Sequence, residues 1–94
     1  MDKLHNDEMD LFFNCVLQLK DLDECYKFFE DACTIKELQA IAQRVMVAKL
    51  LTEHRVYTDI SEQTGASTAT ISRVNRSLVY GSDGYPLVFG RLNK

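Results

Sequence analysis

Proline barely occurs in this sequence: Pro86 is the only one in 94 residues and glycine occurs four times, so most of the chain meets no helix breaker. With 46% hydrophobic residues, that composition suits a single compact helical domain over residues 1–94, with no room for a second. Long apolar runs are missing too. None approaches the roughly 20 residues that span a bilayer, and no charged-then-apolar leader opens the chain, so a soluble cytoplasmic protein with no membrane partner is expected. Cysteine is scarce and odd in number: Cys15, Cys25 and Cys33 lie on apolar stretches without a close CxxC pair. Neither His5 nor His54 completes a zinc-ligand spacing with them, so reduced core thiols are expected, and no metal or cofactor. His54 reads instead as a cation at a helix C-terminus. Catalytic patterns are absent as well. No His stands in a triad order, there is no Gly-rich phosphate loop, and the carboxylates fall on solvated helical faces, so no enzyme is expected.

Acidic residues are missing from one window. None occurs between Gly65 and Ser82, where Arg73 and Arg76 both lie. The net charge of −3 is unevenly held: residues 1–33 carry nine Asp or Glu against three Lys (−6), and residues 34–94 carry eight Lys or Arg against five acids (+3). An acidic chain can therefore still offer a locally basic face to nucleic acid. Two arginines are a thin electrostatic footprint, however, and tight non-specific binding is not expected.

Helical periodicity accounts for most of what is present. Residues 7 to about 20 carry Met9, Phe12, Phe13, Val16 and Leu19 on one stripe, while Leu11, Cys15 and Leu17 are apolar off it. Such a helix needs cover on more than one side, more than a small domain supplies, so a second subunit is expected against it. Asp21 with Glu24 resembles a capping box opening a helix that ends at Cys33, and Thr34 with Glu37 a cleaner one. The helix after Thr34 runs to about His54, apolar around most of its circumference and so central. Residues 1–54 are thus the dimerisation helices. After Tyr80 the segment GSDG breaks the chain, and residues 79–94 form either a short closing helix, with Pro86 in its first turn, or an extended arm.

The most informative stretch is residues 57–78, YTDISEQTGASTATISRVNRSL. Thr58 can cap a first helix, Gly65 can take positive φ at its end, and Ser67 can cap a second helix starting at Thr68. Ile60, Ala66, Ile71 and Val74 would share one small core, with the small Ser61 where the helices approach. Outside remain Thr68, Ala69, Thr70, Ser72, Asn75 and Arg76, short enough to let a helix sit deep in a DNA major groove. An ordinary helical hairpin with a solvated polar face is the plainer alternative. It requires only the glycine turn, whereas turn, caps, core spacing and outer face here agree at once.

GASTATISRVNRSL, with TIKELQAIAQRVMVAKLL upstream, resembles the Trp repressor superfamily. FFEDACTIKELQAIAQR and the terminal YGSDGYPLVFGRL are similar to its YerC/YecD-type branch. The resemblance implies an all-α, intertwined helical homodimer with a helix-turn-helix unit at each end that reads double-stranded DNA. Phe12, Phe13, Val16, Phe29 and Val45 are then expected at the dimer interface, and a two-fold symmetric site on the duplex. The family's DNA-contacting positions fall on Thr58 and Ser61 of the first helix and Thr68, Ala69, Thr70 and Ser72 of the second, with Arg73 and Arg76 beside them. Two of those positions, Thr58 and Ser61, are basic in the repressor and are not basic here.

The family's effector pocket lies between two arginines that match Arg44 and Arg73, and Ser77 matches a further ligand-contacting position. Val74 stands where the tryptophan-responsive member has glycine, so tryptophan is not expected to fit. A small anionic effector could still be clamped by the two guanidinium groups. The plainer roles are Arg44 as an anchor of the reading unit and Arg73 as a phosphate contact. The expected function is a homodimeric DNA-binding transcriptional regulator, a repressor by occlusion. The alternative, from another class, is an interaction or dimerisation module that keeps the fold with little DNA affinity.

Overall fold

The computed structural model describes residues 3–93, all of whose regular structure is helical. Six helices follow in order: α1 (Asp7–Val16), α2 (Leu22–Ala32), α3 (Ile35–Thr52), α4 (Tyr57–Thr64), α5 (Thr68–Tyr80) and α6 (Gly84–Leu92). They fall into two compact units, Met1–Ile35 and Lys36–Lys94. None of the helices is long and apolar enough to cross a membrane.

In the first unit, Asn6 caps α1 by accepting the Met9 N–H at 2.8 Å. The helix stops at Val16, four residues short of the expected Lys20, and the cap of α2 supplies the reason. Asp21 accepts the Glu24 N–H at 2.9 Å, and the Glu24 carboxylate reaches back past it to accept the Lys20 N–H at 2.8 Å. Lys20 thus has its donor engaged by α2, and the chain before it tightens into three-residue turns, Gln18 N–H to Cys15 and Leu19 N–H to Val16. α2 ends as expected, at Ala32 with Cys33 as its C-cap.

An aromatic cluster joins the two helices. Phe12 lies 6.2 Å from Phe28 and 6.3 Å from Phe29 between ring centroids, with Phe13 5.2 Å away. No residue of α1 or α2 is buried, however.

The second unit encloses a true interior. Val47, Ala48 and Leu50 of α3, Ile60 of α4, Ala66 of the turn and Ile71 and Val74 of α5 are all buried, with Leu51, Leu78, Tyr85 and Phe89 packed against them. α3 begins directly after Thr34, as its capping residues predict, and ends at Thr52 rather than His54. His54 lies beyond the helix in the left-handed region, φ 62°. Its N–H donates to the Leu51 carbonyl at 3.0 Å, and the Arg55 N–H to the Leu50 carbonyl at 3.1 Å, which is the Schellman arrangement with histidine in the place usually held by glycine.

The stretch after Tyr80 resolves as a helix, not an arm. Gly81 closes α5, and a side chain there would run into the Ser77 carbonyl. Asp83 then takes φ 65° and α6 follows with Pro86 in its first turn, the Tyr85 and Phe89 rings stacked at 5.8 Å.

Candidate nucleic-acid interface

The reading unit is built from its turn outward. Gly65 adopts φ 75°, which a residue with a Cβ rarely does, and its N–H donates to the Ser61 carbonyl at 2.8 Å. The Ser61 hydroxyl donates to the Ala66 carbonyl at 2.9 Å. The Thr64 hydroxyl donates to the Ile60 carbonyl at 2.7 Å and accepts the Ala66 N–H at 3.1 Å. From α3, Gln43 Nε2 donates to the Thr64 carbonyl at 3.1 Å, and after the helix Arg55 Nη2 reaches Gln63 Oε1 at 3.4 Å. The turn is thereby closed by side chains on both sides.

Ser67 caps α5 as predicted, accepting the Thr70 N–H at 3.1 Å and donating its own proton to the Thr70 hydroxyl at 3.1 Å. Thr58 does not cap α4. The helix begins two residues earlier than a Thr58 cap would place it, at Tyr57, with Val56 in the cap position and no side chain accepting there. This leaves Thr58 inside the first turn with its side chain exposed. A β-extended Val56 follows directly from the tight end of α3, and that connection of four residues (53–56), more than side-chain chemistry, sets where α4 starts.

On the outside, Ala69, Ser72, Arg73 and Arg76 of α5 line one shallow depression of about 250 Å³. Tyr57, Thr58, Ser61, Glu62 and Thr68 line a second of about 320 Å³ beside it. Of the residues that the sequence pointed to, Ala69, Ser72, Arg73 and Arg76 share the first depression and Thr58, Ser61 and Thr68 the second, while Thr70 lines neither. Ser61 is half-buried with its proton engaged in the turn, and Thr70 is half-buried with its hydroxyl facing Ser67. Glu62 was not among the expected residues. Its spacing of four from Thr58 on the same helix was the available signal, and it places a carboxylate next to the hydroxyls.

The four residues matched to the effector position do not share a cavity within the chain. Val74 is 2% exposed, a member of the core; Arg73 belongs to the outer depression; Arg44 is exposed on α3. Ser77 lines a different cavity of about 530 Å³, with Val45 of α3 and Tyr85, Val88 and Phe89 of α6. Among the described residues no group of three or more His, Cys, Asp or Glu could hold a metal ion, and the three cysteines are free and half-buried.

The model of the Trp repressor protein family matches residues 7–93. The chain belongs to the Trp repressor family. It is 53% identical to the uncharacterized protein YerC of Bacillus subtilis, over its whole length and 90% of that relative. A Trp repressor-like protein from Eubacterium eligens superposes with a TM-score of 0.96 at 60% identity, covering 99% of this chain and 96% of the other. A Staphylococcus aureus structure, assigned provisionally as a Trp repressor, gives 0.94 at 44% identity over 98% and 92%. The Trp repressor-like fold is thus established, and the family is one of regulators, not enzymes.

Proposed function

We propose that this Trp repressor-family chain is a cytoplasmic, homodimeric regulator that binds double-stranded DNA through α5 and represses by occluding its site. The observation that carries the reading is the outer face of α5: Thr68, Ala69, Ser72, Arg73 and Arg76 are all exposed, free of acidic neighbours on their own helix, and backed by a fully buried core. Short hydroxyl and methyl groups at the helix N-terminal end suit base edges directly or through water, while Arg73 and Arg76, a turn further on, suit phosphates. Thr58, Ser61 and Thr70 border this face. Their engaged or uncharged side chains add little backbone attraction, so affinity rests on few phosphate contacts.

The dimer is supported by the first unit. Phe12, Phe13, Val16 and Phe29 are apolar and half-buried or exposed in the single chain, Val45 of the second unit is exposed as well, and a second copy of the chain is the cover this reading supplies. Val74, which stands where the tryptophan-responsive member has glycine, is buried in the core, which supports regulation without tryptophan. A small anionic effector held by both Arg44 and Arg73 would need a site that the single chain does not form, since the two share no cavity there.

Selection of bound duplexes from a random DNA pool at about 0.15 M salt, with no small molecule added, tests the reading. Enrichment of a two-fold symmetric site is expected; no enrichment by a verified dimer would reject DNA reading in the free state. One observation favours the second reading, an interaction module: Glu62 lies in the same depression as Thr58 and Thr68, where it would face phosphate. Arg76→Ala separates the two readings, because it weakens duplex binding and lowers its salt dependence in a regulator, and alters neither in an interaction module.

A further inference from the structure

The buried contact between α3 and the helix-turn-helix unit is apolar. Val47, Ala48 and Leu50 meet Ile60, Ala66, Ile71 and Val74 in one cluster, and apolar packing of this kind is non-directional: it holds elements together but tolerates small rotations and repacking. Gln43 differs. It lies one helical turn before Val47 on the face of α3 that meets the core, is half-buried, and joins the Thr64 carbonyl 21 residues away. That carbonyl is the last of α4 and has no partner further along the helix, so the bond caps α4 and ties it to α3 at one point and angle. Thr64 itself is held from the other side by its hydroxyl bonds to Ile60 and Ala66, so the position of its carbonyl is passed on to the turn and to the start of α5.

We propose that Gln43 is a positioning residue: its side-chain amide sets the tilt of the α4–α5 unit on α3, and through it the register in which α5 meets base edges. The inference rests on the DNA-reading function proposed above. It predicts a residue distant from DNA that governs discrimination between sequences more than affinity for any duplex.

The test uses the full chain with Gln43→Met, which keeps the length and removes the donor, and Gln43→Glu, which has a proton to donate only when its carboxyl is neutral. Residual dipolar couplings report the orientation of α4 and α5 relative to α3 without DNA. Competition between the selected duplex and a scrambled one reports discrimination. Gln43→Met is expected to remain folded, to shift the couplings of α4 and α5 together, and to lose roughly tenfold in discrimination, the scale of one mismatched base pair, with scrambled-duplex binding at low salt unchanged. A merely structural residue would weaken both duplexes in equal proportion. Gln43→Glu is expected to lose discrimination as Gln43→Met does, since an ionised carboxylate has no proton to donate to the Thr64 carbonyl. Wild-type couplings and wild-type discrimination in Gln43→Met would overturn the proposal. If the parent selects no duplex, the DNA-reading function fails, and the couplings alone still decide whether Gln43 sets the orientation.

Discussion

The two units of this chain are nearly alike in their supply of apolar side chains and opposite in what they do with them. In Lys36–Lys94 seven residues are buried, Val47, Ala48, Ile60 and Ile71 completely. In Met1–Ile35 none of the residues of α1 or α2 is, and Leu17 and Leu22 stand 76% and 77% exposed. Isolated exposed leucines are ordinary on protein surfaces, but two whole helices without an interior are not. The second unit is organised around a core of its own, whereas neither helix of the first has a buried residue. Hydrophobic periodicity marks the helices of both, and only the apolar residues off the stripe of α1 hint that its surface is not covered within the chain.

The comparison is broken most forcefully at Phe13. Phe13→Asp places a charge on the proposed dimer surface and is expected to cost several kcal/mol, giving unfolded or aggregated protein in light scattering; a soluble, well-folded monomer would show that the first unit needs no partner. Next comes a matched pair in denaturant titration. Ile60→Ala removes a fully buried side chain and should cost about 2 to 5 kcal/mol. Leu11→Ala should approach that figure if α1 is covered by a second copy, and stay within about 0.5 kcal/mol if it faces water.

Smaller effects sharpen the account of the second unit. Ser67→Ala removes the cap of α5 and is expected to lower stability by about 1 kcal/mol, read as a shift in the denaturation midpoint at unchanged slope. His54→Gly should act in the opposite sense and raise stability by a fraction of a kcal/mol to about 1 kcal/mol, since glycine occupies the left-handed region without a Cβ penalty.

The helix-turn-helix was legible because each of its parts is specified locally. Gly65 is needed for a positive φ, Ser67 for a cap, and Ile60, Ala66, Ile71 and Val74 fall at spacings that only one turn geometry brings together. The start of α3 after Thr34 and the break at residues 81–84 were legible for the same reason. What escaped depends on competition between neighbours. The end of α1 is decided by Glu24 taking the Lys20 N–H, and the start of α4 by the closure of α3 around His54, which the sequence presents as a simple C-terminal cation. Gln43 gives no signal at all, because its partner is a backbone carbonyl that any residue at position 64 would supply. The expected site residues lie on α4 and α5, and the commitment of the Ser61 and Thr70 hydroxyls to the turn and the cap is visible only once distances are known.

If a second copy supplies the interior that the first unit lacks, dosage becomes a structural variable. Where folding of α1 and α2 is completed by a second copy, the active species grows with the square of free chain concentration below the dimer dissociation constant, and stability itself becomes dependent on how much protein is present. Halving synthesis would then cut the assembled form fourfold, and chains left single would offer Leu11, Leu17, Leu22 and Tyr26 to chaperones and proteases. A regulator built this way falls silent abruptly when its own production slows.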